Sequence, residues 1–191
     1  AEQQRALYDW LLANGDNEVE WVLLEASSWS DFAQSDLRQQ RLQTLVDRAH
    51  AFGVVAGIDV PIAEEQQHTF RLLTSQSNTG DAAADLAADA ALIDGRLDWL
   101  MAAGFDFVST ENGTTEFTHP DPARMLGWMN EVAVHLDVAW GKKARIKAHC
   151  STGQTADPLV DPDTGGPLNF NFMPKLADAR MGVMPHTVQI Y

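Results

Sequence analysis

A chain of 191 residues with 45% apolar content and a mean hydropathy of -0.22 can fill one hydrophobic core, which excludes a disordered segment. Thirteen Lys and Arg against 27 Asp and Glu leave a formal charge of -14, so nucleic acid and anionic membrane surfaces are not expected as partners. Cys150 is the one cysteine, which excludes an intrachain disulfide, and no apolar run nears the ~20 residues of a membrane span, so a soluble protein, cytoplasmic or secreted, is expected.

Leu7, Trp10 and Leu11 recur at helical spacing and predict a helix over 3–14, with Gly15 as a left-handed cap. A strand follows over 19–25 on the run Trp21 to Leu24. Ser30 and Asp31 offer an N-cap to a helix that carries Leu42, Leu45, Val46 and Ala49 and ends at Gly53. The cycle repeats with a strand over 54–59, a helical piece over 63–73 and a polar turn over 75–80. Asp81 then caps an Ala-rich helix with Ile93, Leu97, Leu100 and Met101 in one stripe.

The third strand is read over 105–111. Asp121 and Pro122 start a helix bearing Met125, Met129, Val132 and Leu136, closed by Gly141, and a fourth strand follows over 144–149. Gly153, Pro158, Pro162, Gly165, Gly166 and Pro167 break any period over 150–172 and predict a long loop, a lid or wall for a site. A helical turn over 174–179 and a fifth strand over 181–188 complete the reading. Trp10, Trp99, Trp128 and Trp140 fall on helices and are assigned to the core, while His50, His68 and His135 are read as structural or solvated.

Strand–helix alternation through five cycles predicts an α/β fold of parallel βα units in a single domain over 1–191. Two architectures fit: an incomplete (β/α)8 barrel, or a five-stranded doubly wound open sheet. No glycine-rich phosphate loop follows any strand, and the order from helix to strand reads as a barrel segment, so the polypeptide is expected to continue past both ends.

Ligands of either architecture bind at the carboxyl ends of the strands, which here fall at Glu25, Asp59, Glu111, His149 and His186. Lys147 shares a face with His149, and Ser109 shares one with Glu111. Glu111 suits a general acid or nucleophile, although Asn112-Gly113 also reads as a hairpin turn that it would merely flank. Glu25 is a second carboxylate or a solvated loop residue, and Trp29 beside it offers a face for a sugar ring. Asp59 is a third carboxylate or a turn former before Pro61. Lys147 and His149 face either a packed barrel interior, where the lysine needs a carboxylate, or solvent on an outer strand. His186 is a site residue or a core histidine. Glu116 is a weaker carboxylate candidate. Asp157, Asp161 and Asp163 have an oxygen-rich spacing open to calcium but lack the closing Glu of an EF-hand.

With strand-terminal Glu25, Asp59 and Glu111 and an aromatic at Trp29, the chain resembles the (β/α)8-barrel hydrolases, and glycoside hydrolases among them. The resemblance implies a hydrolase acting on a small-molecule or saccharide substrate, with those three carboxylates catalytic, Trp29, Lys147, His149 and His186 binding substrate, and no cofactor or metal. Two other readings are a metal-dependent barrel enzyme, in which His149, His186, Glu111 and Asp59 hold one divalent cation, and a non-catalytic saccharide-binding barrel.

Overall fold

Short runs of apolar and β-branched residues pair as strands in chain order. They are β1 (Glu18–Val22), β2 (Val55–Asp59), β3 (Phe107–Glu111), β4 (Lys143–His149) and, after a hairpin of β5 (Thr155–Val160) and β6 (Pro167–Asn169), β7 (Met181–His186). The computed structural model describes residues 2–25, 30–65, 68–112, 121–149 and 154–186. The main sheet has the order β1-β2-β3-β4-β7, and every neighbouring pair in it is parallel. A doubly wound sheet reverses its strand order at a switch point, and this sheet does not. Because parallel crossovers are right-handed, a sequential order sets the connecting helices on one face, as in a barrel wall. Among the described residues β1 and β7 are the two edges.

Among the described residues five α-helices accompany the strands: α1 (Glu2–Ala13), α2 (Ser30–Ala33), α3 (Asp36–Ala51), α4 (Ala82–Met101) and α5 (Pro122–Trp140). Asp81 accepts from Ala83 N and Ala84 N at the start of α4, and Asp121 accepts from Arg124 N at the start of α5. Gly141 ends α5 at φ 62°, a left-handed conformation that favours glycine. The buried stripe Ile93, Leu97, Leu100 of α4 and Met125, Trp128, Met129, Val132 of α5 joins Ala56, Ile58, Val108, Ala144 and Ile146 of the sheet in one core. Asp89, buried in α4, accepts from Trp128 Nε1 at 2.9 Å and pairs with Arg124, so α4 and α5 are tied by a satisfied polar contact as well.

The opposite face of the sheet is charged. Glu18 and Glu20 alternate on β1, Arg145 and Lys147 on β4, and three strand spacings of a flat sheet would hold the two sets about 14 Å apart. Yet Arg145 Nη2 meets Glu18 Oε2 at 2.9 Å and Lys147 Nζ meets Glu20 Oε1 at 2.8 Å. The sheet therefore curls, with this face concave.

Gly57 sits in the bend, where an added Cβ would lie 2.0 Å from Phe107 Cζ, and Arg145 stacks on the same ring at 3.9 Å. Gly57→Ala is expected to destabilise the protein by about 1–3 kcal/mol or more through overpacking, read from urea unfolding.

Several elements differ from the sequence-based expectation. The first strand stops at Val22, because Leu24 leaves the sheet to bridge Thr69 in an isolated antiparallel pair. Ser35, rather than Ser30 or Asp31, caps the long helix α3 by accepting from Arg38 N. No helix forms over 68–73; Phe70, Leu72 and Leu73 are buried in irregular chain whose amides bond to Leu23, Pro61 and Ile62 carbonyls. The expected long loop contains the β5–β6 hairpin, with Pro162, Gly165 and Gly166 in its turn. A 3-10 helix at Phe170–Leu176 follows it, and Ala156, Leu168, Phe170 and Met173 anchor this segment in the core beside α5. Trp10 is 60% exposed rather than in the core. Among the described residues no helix is long and apolar enough to cross a membrane.

Candidate active site at the strand ends

Parallel strands of matched length bring their last residues to one rim. Asp59 ends β2, Glu111 ends β3 two residues beyond Ser109 on the same face, and Glu111 is the register partner of Lys147 on β4. Lys147 is 17% exposed, so its ammonium needs compensating charge, and it finds two carboxylates, Asp59 and Glu20. Ser109 Oγ donates to the other oxygen of Glu20, which fixes that carboxylate against Lys147. Glu20, Asp59, Ser109, Glu111 and Lys147 thus form one cluster drawn from four strands.

Three carboxylates around one ammonium leave an excess of negative charge. Asp59 has the deepest side chain of the three ion-paired groups, nine-tenths buried. Burial pushes its carboxyl up to about 6; the Lys147 contact opposes this, and the charges of Glu20 and Glu111 add to it. Burial pulls the Lys147 ammonium down, but the bonds and charges of Asp59 and Glu20 outweigh it and hold the group above its ordinary value. The arrangement is a charged lysine beside a carboxyl held well above the ordinary carboxylate range.

Buried polar atoms are normally hydrogen-bonded. Here Asp59 Oδ1 is buried with no partner among the described residues, and so are Oδ1 and Nδ2 of Asn112, which follows Glu111 directly. A rim with spare acceptors and a spare amide donor suits a ligand rich in hydroxyl groups.

The other expected residues are placed differently. Glu25 lies beyond β1 and pairs with Arg96 of α4, whose guanidinium also bonds Gln34 at 2.9 Å and stacks on Phe70 at 3.8 Å. This pairing ties the β1 loop to α4, apart from the Lys147 cluster. His149 and His186 are register partners on β4 and β7, and their side chains lie outside the described residues. Trp29 and Glu116 lie outside the described residues. The oxygen-rich turn considered for calcium already holds a cation: Lys175 Nζ stands 3.0 Å from Asp161 and 2.8 Å from Asp163.

Glu20 and Asn112 were not legible as site residues. The signal for Glu20 was present, since two acids alternating on one strand and two bases alternating on another are matched across a concave face. A separate cleft of about 380 Å³ opens where α4 and α5 begin, lined by Asp85, Leu86 and Arg124 among others. Its charged groups are already committed, Asp85 to Ser77 and Thr79 and Arg124 to Asp89.

No protein-family model and no curated protein matches the chain. Among solved structures it is similar to a mutant of the O-GlcNAc hydrolase of Thermobaculum terrenum, at 10% identity and a TM-score of 0.61, over 98% of this chain and 38% of that one. The resemblance is one of fold alone, that of a TIM barrel. A trehalose-6-phosphate hydrolase mutant of Bacillus licheniformis aligns at 9% identity and a TM-score of 0.47, over 76% of this chain and 40% of that one. A xylose isomerase domain protein of Alicyclobacillus acidocaldarius aligns at 12% identity and a TM-score of 0.40, over 94% and 57%. The chain spans under two-fifths of the length of the O-GlcNAc hydrolase.

Proposed function

We propose that the strand-end cluster is the acid–base centre of a hydrolase acting on a carbohydrate. The observation that carries this reading is Asp59: a nine-tenths buried carboxyl with an unpartnered oxygen, able to hold a proton near neutral pH, beside a second carboxylate at the rim. Hydrolysis of a glycosidic bond uses such a pair, one carboxyl giving its proton to the leaving oxygen while the other acts at the sugar carbon or on a water. In this reading Asp59 is the proton donor and Glu111 the second carboxylate. Lys147 positions Asp59, and Glu20 and Ser109 hold Lys147 in place. Asn112, His149, His186 and Trp29 bind sugar hydroxyls and ring faces. Glu25 orients the loop after β1 through Arg96. The carbohydrate hydrolase of the same fold supports the substrate class by analogy.

The test is turnover of a panel of aryl glycosides by the full-length protein in the presence of EDTA. Cleavage of at least one member, undiminished by the chelator, is expected. Loss of activity on chelation, restored by a divalent cation, would favour the reading with His149, His186, Glu111 and Asp59 as ligands. Saccharide binding without any turnover would favour the non-catalytic barrel.

A further inference from the structure

A second cluster lies away from the strand ends, between the middles of α4 and α5. Asp94 and Asp98 are four residues apart on α4, Glu131 and His135 four apart on α5, so each pair shares a helix face. We propose that Asp94, Glu131 and His135 bind a divalent first-row transition metal ion, with Zn²⁺ as the reference case, and thereby pin α4 to α5. One donor atom from each of the three lies within 4.8 Å of the others. A tetrahedral ion with bonds of ~2.1 Å needs its ligands about 3.4 Å apart, so side-chain shifts of about an ångström complete the site.

The imidazole is already oriented for this role. His135 Nε2 lies 2.7 Å from Asp98 Oδ1, to which Trp140 Nε1 donates at 2.8 Å. With the proton on Nε2, the Nδ1 lone pair faces Asp94 Oδ1 at 3.3 Å, the carboxylate–histidine arrangement that presents a ring nitrogen to a metal. Asp94 Oδ1 is itself buried with no hydrogen-bond partner among the described residues. In that tautomer two acceptors face one another with the Glu131 carboxylate beside them, and a bound cation would satisfy all three.

Elsewhere the protein supplies that cation from its own chain. Lys175 serves Asp161 and Asp163, Lys147 serves Glu20 and Asp59, and Arg124 serves Asp89. Among the described residues no lysine or arginine pairs with Asp94 or Glu131. All three donors are half-buried, so an ion and its remaining water ligands can enter from solvent. One imidazole and two carboxylates match Zn²⁺ and its neighbours; they are too few for calcium, which takes about 6–8 oxygens.

The test uses the full chain at pH 7.5, titrated with ZnCl₂ against EDTA, with bound metal counted by dialysis and stability followed by thermal unfolding. One equivalent of Zn²⁺ and a rise in Tm of about 5–10 °C at a hundredfold excess over Kd are expected. Glu131→Gln and His135→Gln should abolish the rise, and Asp98→Asn should weaken binding by about 10–100-fold. An undiminished rise in both ligand variants would overturn the proposal. So would binding that disappears only when His149 and His186 are replaced by Gln. If a ligand variant fails to fold, Co²⁺ added to the unmodified protein decides: visible bands of a tetrahedral N/O site support the assignment, and their absence refutes it.

Discussion

Asp59→Asn is expected to lower kcat on any glycoside the protein cleaves by about a hundred- to ten-thousandfold, the contribution of one positioned acid or base. The amide keeps the shape and can still accept from Lys147, so the fold persists and KM changes little. Glu111→Gln is expected to have an effect of the same order, because neither carboxyl can replace the other. The variant at Asp59 also alters the pH dependence of stability, and the sign follows from the direction of the shift. A carboxyl near 6 in the folded state and near 3.9 when unfolded binds its proton more tightly in the fold. Its stabilisation is present in full below about pH 4 and is lost as pH rises through about 6, a change of up to about 3 kcal/mol. Urea unfolding at pH 4.5 and 7 should show that part of the slope in the unmodified protein and not in Asp59→Asn. Near-normal turnover in both variants would remove the carboxylate pair from the mechanism.

Lys147→Met is expected to be the most destabilising single change at the rim. It leaves Glu20 and Asp59 buried together without their ammonium, a loss of about 3–5 kcal/mol at neutral pH by comparison with other broken buried pairs. Thermal unfolding should show a fall of roughly 6–20 °C for a chain of this size, smaller at pH 5, where Asp59 carries a proton. With the lysine gone, the Asp59 carboxyl rises further, and the pH optimum of any hydrolysis moves upward with it. A Tm within about 2 °C of the parent would show that the contact is a solvated one of little weight.

The parts of this architecture that follow local periodicity were legible in the sequence. Ile93, Leu97 and Leu100 mark α4, Asp121 with Pro122 opens α5, and the ends of β2, β3 and β4 at Asp59, Glu111 and His149 fall where the apolar runs stop. A lysine on an inward strand face requires a carboxylate, so the pairing of Lys147 was foreseeable, though its partners were not. What escaped depends on contacts distant in sequence. The apolar run around Trp21 continues past the true end of β1, because Leu23 enters the core and Leu24 bridges Thr69 outside the sheet. Glu25 therefore lies beyond the strand, and Glu20 is the β1 carboxylate that meets Lys147. Glu25 meets Arg96, 71 residues later, and no local pattern announces it. The β5–β6 hairpin carries Pro158 and a turn with Pro162, Gly165 and Gly166, residues that resemble structureless loop until Ala156 and Leu168 are seen in the core. Phe70, Leu72 and Leu73 imitate a helical stripe but are buried by irregular chain whose amides find the carbonyls of Leu23, Pro61 and Ile62.

The reading of the site rests on Asp59 as the group that carries a proton near neutral pH, and this can be measured before any substrate is known. Carbon-13 labelling of the aspartate side chains, with assignment of Asp59 by its absence in Asp59→Asn, allows its carboxyl to be titrated directly. A midpoint near 6 is expected in the unmodified protein, moving higher in Lys147→Met. A midpoint at or below the ordinary ~3.9 would show Asp59 to be a permanently charged partner of Lys147, and would contradict its assignment as the proton donor.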